Sequence, residues 1–327
     1  MTAPLYQGAF DAACRQYQPT SSHAGLWFDK FCDRWKDDFT DLVDDNAKRD
    51  WIRTVTKANT QQNGPGRGDL KKVGKEALID EHRQRREALV AGCMGRLMQF
   101  KLESRFVSGL GRSHPVENGF AWHAVLSVPY LAGSGVKGMV RTWAYEFADV
   151  DETDITRIFG PEAKPGTDLS VGSVIFLDAL PISPVQLVPE IMTSHYGPWY
   201  QNGAHPADWH NPTPIPFLAV ETGTEFSFAV MPRQAGDTAD SDQVTAWLKQ
   251  ALTWIGAGAK TATGMGRFID ITPSQPSLQP DNDAEVSRTF HDGRPIRVLS
   301  DEEDGLVEVQ YLDEQGGNDL VPSEEIQ

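Results

Sequence analysis

Cysteine is scarce. Cys14, Cys32 and Cys93 are odd in number and share no metal-ligand spacing, which excludes a disulfide framework and a thiolate metal site. They read as small buried hydrophobes of a chain in a reducing cytoplasm. No apolar run approaches the roughly 20 residues of a bilayer crossing, so no membrane contact is expected. The stretch MTAPLYQGAFDAACRQYQ lacks a basic segment followed by an apolar one, the pattern of a secretory leader.

Positive charge is short as well, with 30 Lys+Arg against 46 Asp+Glu and a net charge of -16. That total alone would exclude a nucleic-acid partner, but its distribution does not. Residues 1–110 carry 18 Lys+Arg against 15 Asp+Glu, whereas residues 278–327 carry 3 against 14. The C-terminal end supplies most of the negative charge, and local patches on the rest decide the partner.

Residues 1–100 read as an N-terminal helical region packed on a core. HAGLWFDKFCDRWKDDF spaces Leu26, Trp27, Phe31, Trp35 and Phe39 as an apolar helical stripe. QQNGPGRGD is a loop. LKKVGKEALIDEHRQRREALVAGCM is a second helix, with Lys71, Lys72, Lys75, Arg83, Arg85 and Arg86 on a solvated face. Residues 101–272 alternate. RLMQFKLESRFVSGL reads as a strand, and FAWHAVLSVPY as a strand or extended approach. SGVKGMVRTWAYEFADV is a helix with Val136, Val140, Trp143 and Phe147 on one face. GSVIFLDALPI is a buried strand, with Asp178 at its end or in a turn. FLAVETGTEFSFAVMP is a strand pair or one bent strand, DSDQVTAWLKQALTWI a helix, and GMGRFIDI a last strand. The βαββαβ order is ferredoxin-like, an α+β frame used by RNA-binding domains. A Pro-, Trp-, Tyr- and His-rich insertion at 181–216 is too long for an ordinary hairpin loop, which marks it as functional. Residues 273–327 are a linker and a small acidic β module or an extended tail.

Two glycine motifs carry chemistry. LAGSGVKGMVRTW contains G-x-G-x-x-G, but no acidic strand end follows about 20 residues on, so a dinucleotide site is excluded. GAGAKTATGMGRF has Ala259 where a P-loop needs glycine before Lys260, and it precedes a strand instead of opening a helix. What remains is glycine backbone able to approach a sugar-phosphate chain, with Lys137 and Arg141 near a helix start and Lys260 and Arg267 flanking the second loop.

PYLAGSGVKGMVR and GAGAKTATGMGRF resemble the paired glycine motifs of the RAMP superfamily of CRISPR effector proteins. HAGLWFDKF, GSVIFLDALPI, HYGPWYQNG and PIPFLAVETGTEFSF are most similar to the sixth subunit of the Cmr (type III-B) RNA-targeting complex. The resemblance implies a ferredoxin-like subunit that caps the filament, without catalysis or cofactor. It implies guide RNA, target RNA and other Cmr subunits as partners. Gly133, Ser134, Gly135, Lys137, Gly138 and Arg141 would meet guide phosphates, with Gly256, Gly258, Lys260, Gly264, Gly266 and Arg267 in the second loop. The insertion would be a thumb that wedges into the guide–target duplex, presenting His195, Tyr196, Trp199, Tyr200 and Trp209. Ala132 and Gly135 depart from the commoner Pro and Ser of the motif, and the acidic tail lies outside it.

The competing reading is an endoribonuclease. His195, His205, Asp208 and His210 are ligand types for a divalent metal. His114 and His123 are candidates for metal-free acid–base cleavage. A scaffold that never touches RNA would bury the same loops against neighbouring subunits.

Overall fold

Apolar residues at every second position of RLMQFKL and EFSFAVMP build the centre of the fold. β1 (Arg96–Leu102) and β6 (Glu225–Pro232) pair antiparallel, with Met98 opposite Phe228 and Phe100 opposite Phe226. β7 (Phe268–Asp270) adds to β1, while β2 (Val174–Phe176) and β3 (Leu180–Pro181) add to β6. α4 (Gly133–Phe147) falls between β1 and β2, and α7 (Thr238–Trp254) between β6 and β7. The strand order β2-β6-β1-β7 completes the ferredoxin-like α+β frame. The computed structural model describes residues 22–36, 38, 40–44, 46–56, 72–162, 170–194, 196–207, 209, 212–273, 290–291, 294–298, 306–311 and 318–322. The chain divides into two compact units, Met1–Thr272 and Pro273–Gln327.

The pleat sorts β6 between two cores. Phe226, Phe228 and Val230 join the main cluster with Val136 and Val140 of α4 and Val244 and Leu248 of α7. Phe268 meets Phe226 and Phe228 edge-on at 5.7 and 5.5 Å. Ala229 and Met231 face the other way, against Val90 of α3 (Glu76–Gly92). β1 starts at Arg96, so it runs across the 100/101 boundary drawn from sequence.

The N-terminal region departs from its expected stripe. α1 spans only Ala24–Lys30, and its buried residues are Ala24, Gly25, Trp27 and Phe28, while Leu26 is half exposed. Trp35 bridges Leu42 in an extended pair, and Phe39 lies outside the described residues. Seven residues make a helix too short to stand alone. It is held by His23 Nδ1, which accepts the Leu26 amide, and by the Phe28 carbonyl, which accepts Trp51 Nε1–H of α2 (Ala47–Thr56).

FAWHAVLSVPY is a tight turn instead of a strand. Trp122 bridges Pro129, the His123 amide donates to the Val128 carbonyl, and Ser127 Oγ accepts the Ala24 amide at 2.6 Å. FLAVETGTEFSFAVMP divides into β5 (Thr213–Val220) and β6, which pair with different partners. β4 (Leu187–Ser194) and β5 form a separate two-stranded hairpin whose tip carries α6 (Gly197–Asn202). α2 packs against both hairpin strands. α5 (Glu152–Phe159) follows α4. In the second unit β8 (Phe290–His291), β9 (Arg294–Val298), β10 (Leu306–Tyr311) and β11 (Asn318–Pro322) form a sheet of order β11-β10-β9-β8, so the alternation there is a β module.

Two side chains correct the sequence reading. Cys93 is exposed, not buried. Arg86 is only 7% exposed, because it shares a face of α3 with buried Ile79 and Val90. Arg83 and Arg85 do lie on the surface, paired with Asp80 and Glu87 and with Glu81.

His114 is a core residue. Its ring stacks on Phe28 at 4.1 Å, and Nε2 lies 2.9 Å from the Phe28 carbonyl. Burial holds its pKa at about 4, below the usual value, while burial raises neighbouring Asp29 to about 6. The signs oppose. Stability from neutral His114 is present above pH 6.5 and lost as pH falls towards 4, whereas that from protonated Asp29 is present below pH 3.8 and lost as pH rises through 6. Asp29→Asn should therefore steepen acid destabilisation between pH 6.5 and 4, and His114→Asn should flatten it. Melting temperatures across that range check both slopes.

Candidate nucleic-acid interface

The first glycine motif starts α4. Leu131 and Ala179 exchange backbone hydrogen bonds, which brings the β2–β3 connection against the helix start. Ala132 at the N-cap offers no side-chain acceptor, and Asp178 Oδ1 replaces it by accepting the Gly133 amide at 2.7 Å. A Cβ at Gly133 would lie 2.4 Å from the Phe176 carbonyl, so this glycine serves packing. Gly138 is different: a Cβ there would meet nothing within 4 Å. Asp178→Ala should orphan the Gly133 amide and cost about 1 kcal/mol by denaturant titration, with Asn restoring most of it.

The second motif follows α7. Its loop is tied to the segment after β1, with Ala259 N–H donating to the Val107 carbonyl and Gly266 N–H to the Arg105 carbonyl. Gly266 has φ +74, and a Cβ would sit 1.9 Å from the Ala257 carbonyl, so only glycine closes this turn. Gly256, Gly258 and Gly264 also hold positive φ, and Lys260 joins them at φ 60. Gly264 faces open space as Gly138 does.

The two motifs are walls of one groove of about 580 Å³. Gly135, Gly138, Met139 and Thr142 form one wall, Gly256, Gly258 and Thr261 the other, and Ser108–Gly111 the end. Residues 135, 138, 139 and 142 recur at helical spacing, so they are one face of α4. Lys137 and Arg141 fall on the next face, roughly 100° or more around the helix, away from the lining. Ser134 is exposed on that same flank.

The four expected cations have distinct surroundings. Lys137 lies near Arg141 and Arg233; its pKa is lowered first by burial and then by those two charges. Arg141 Nη2 is 3.6 Å from Glu162. Lys260 Nζ reaches Met192 Sδ on β4, and Arg267 Nη1 donates to the Thr253 carbonyl at the end of α7. Arg267 thus caps a helix end. Sequence reasoning missed Asp178 as the cap of the motif and Arg233 as the third cation, since both arrive by strand pairing. The glycine pair in VSGLG, which ends the groove, was visible in sequence.

On the hairpin tip Tyr196, Trp199, Tyr200 and Trp209 are exposed, Tyr200 by 79% and Trp209 by 84%. His195, Asp208 and His210 lie outside the described residues. Among the described residues no group of three or more His, Cys, Asp or Glu could hold a metal, and no helix is long and apolar enough to cross a membrane. His114 and His123 are not brought together; His123 instead faces His82, ring centroids 5.6 Å apart.

Residues 99–269 match the RAMP superfamily, more than half of the chain and both glycine motifs. The chain is 32% identical to CRISPR system Cmr subunit Cmr6 of Pyrococcus furiosus, over 53% of this chain and 67% of that protein. It is likewise 32% identical to Cmr6 of Saccharolobus solfataricus, over 24% of this chain and 26% of that one. A chain of the cryo-EM structure of type III-B Cmr-beta bound to cognate target RNA shares the fold, with a TM-score of 0.51, 20% identity and coverage of 68% of this chain and 70% of that one. With its strand order, its two glycine motifs on one groove and these matches, the chain belongs to the RAMP superfamily and is similar within it to Cmr6.

Proposed function

We propose that this chain is a non-catalytic, RNA-binding subunit of a type III-B CRISPR (Cmr) ribonucleoprotein complex, acting in RNA targeting. It caps the subunit filament and contacts the 3′ part of the guide RNA and the guide–target duplex; its partners are guide RNA, target RNA and other Cmr subunits. The observation that carries this reading is the groove between the two glycine motifs, where Gly138 exposes backbone that no internal packing requires. A sugar-phosphate chain can lie against such backbone. The exposed rings of the hairpin tip suit stacking on bases.

The test is RNA binding and integrity in the assembled complex. Guide RNA carrying photoreactive nucleotides should crosslink to peptides spanning 135–142 and 256–264, and target RNA incubated with the isolated chain and Mg²⁺ or Mn²⁺ should stay intact. Crosslinks confined to other surfaces would overturn the groove assignment, and cleavage would overturn the non-catalytic role. Deleting residues 278–327, where 14 acidic residues oppose 3 basic ones, should leave guide affinity unchanged or tighter, because that segment repels phosphate. Binding isotherms of the truncated and full chains measure it.

A further inference from the structure

α3 carries a guanidinium into the protein without satisfying it. Arg86 is 7% exposed, and its Nε and Nη2 are buried with no hydrogen-bond partner. A buried cation in that state is destabilising unless something else meets it. Arg86 lines a groove of about 510 Å³ with His82, Arg85, His123, Asp178 and Phe176. His82 lies one helical turn before Arg86, and its ring meets that of His123 edge-on at 5.6 Å. His123 Nδ1 accepts the Leu126 amide, which leaves Nε2 as the ring's N–H donor.

The charges around this groove are all accounted for. Asp178 is its acid; its charge favours the charged forms of Arg86, His82 and His123, and its Oδ1 accepts the Gly133 amide. Arg85 pairs with Glu81 at the mouth, and Arg83 with Asp80 and Glu87 further out. Burial first, then Arg86 and Arg85, hold His82 below its usual pKa; burial first, then His82, do the same for His123. Both rings are thereby biased towards the neutral form, which supplies an N–H donor without added charge.

We propose that this groove is a binding site for a phosphate group, held by Arg86 with the imidazoles of His82 and His123 and with Arg85 at its entrance. A guanidinium with two nitrogens lacking partners, lining the same groove as two imidazoles, offers more N–H donors than a planar carboxylate uses, and a tetrahedral oxyanion suits that number better. The volume leaves room for a sugar beside the phosphate. This site is separate from the glycine groove, and its first test uses inorganic phosphate alone, so its failure leaves the RNA reading untouched.

The measurement is the imidazole NMR signals of the full chain during titration with orthophosphate at constant ionic strength, with the melting temperature followed in parallel. The His82 and His123 signals should shift saturably, and the melting temperature should rise on the order of 3 °C at tenfold the dissociation constant. Arg86→Met should abolish both responses while the phosphate-free variant melts no lower than the native chain, since a buried cation with two nitrogens lacking hydrogen-bond partners is gone. Oligoribonucleotides identify the source. Equal shifts with hydroxyl or 3′-phosphate ends assign an internal phosphodiester, shifts with the phosphate end only assign a strand terminus, and shifts with orthophosphate only assign the free anion. Imidazole signals that ignore phosphate, or an Arg86→Met variant that keeps the saturable response, overturn the site. If Arg86→Met does not fold, the titration of the native chain still decides.

Discussion

Gly138→Gln is expected to raise the melting temperature of the chain while weakening guide RNA binding about tenfold, and Gly133→Ala is expected to lower the melting temperature while leaving the affinity of the folded chain unchanged. Gly138 lies within α4, has no neighbour within 4 Å of a built Cβ, and lines the groove. Glutamine there improves helix propensity by roughly 0.5 kcal/mol. Its side chain also fills the space through which a phosphate chain would approach the helix backbone. Gly133 sits under the Phe176 carbonyl, 2.4 Å from where a methyl would be placed. Alanine must push β2 away or draw the Gly133 amide off Asp178, at a cost of about 3 kcal/mol and roughly 6–10 °C in melting temperature. The folded fraction of Gly133→Ala should keep its RNA affinity, because that position faces the sheet. Circular dichroism melts and fluorescence anisotropy on the same preparations separate the outcomes. Unchanged affinity in a folded Gly138→Gln chain would remove the groove from the RNA path. Two glycines of one motif thus serve two purposes.

The frame was legible where periodicity is strong and the partners are regular. Met98, Phe100, Phe226 and Phe228 alternate as a half-buried strand must, and Val136 and Val140 recur as a helix must, so the ferredoxin-like order followed from local patterns. Most of the hairpin falls in the insertion at 181–216, where Pro189, Pro214 and Pro216 obscure the strand pattern. They are tolerated since β4 and β5 form an isolated pair whose outer edges need no N–H donors. In the N-terminal region a run of aromatics mimicked a long helix, yet Trp35 is satisfied by an extended bridge and Phe28 takes the core position. The site was half legible. Sequence marked the two glycine motifs that line one groove, one in the first turns of α4 and one in a loop, but not the separation of glycine wall and cationic flank, which depends on the rotation of α4 against the sheet. Nor could it place Asp178 against Gly133, a contact across 45 residues.

That separation sets the second large effect. Replacing both Lys137 and Arg141 by alanine should weaken guide binding on the order of 15-fold near physiological salt and make its salt slope shallower by about 1.4. The figures follow from about 0.7 counterion released per single-strand phosphate contact, counted for two contacts. Lys137, Arg141 and Arg233 concentrate positive charge on one flank of α4, and burial together with Arg141 and Arg233 lowers the Lys137 pKa. A phosphate arriving there would relieve the repulsion among three cations, so the pair should act on all guide sequences alike. Glu162 competes for Arg141 at 3.6 Å, and Glu162→Gln should tighten binding slightly. A bracing role for these side chains forecasts a different outcome: a lower melting temperature, with affinity and salt slope of the folded protein unchanged. Salt titrations of guide binding in the assembled complex, with melting temperatures of the same variants, distinguish the two. A double variant whose slope matches the native one would confine RNA contact to the glycine groove and leave the cationic flank to a protein neighbour, where an acidic surface would meet the same three charges.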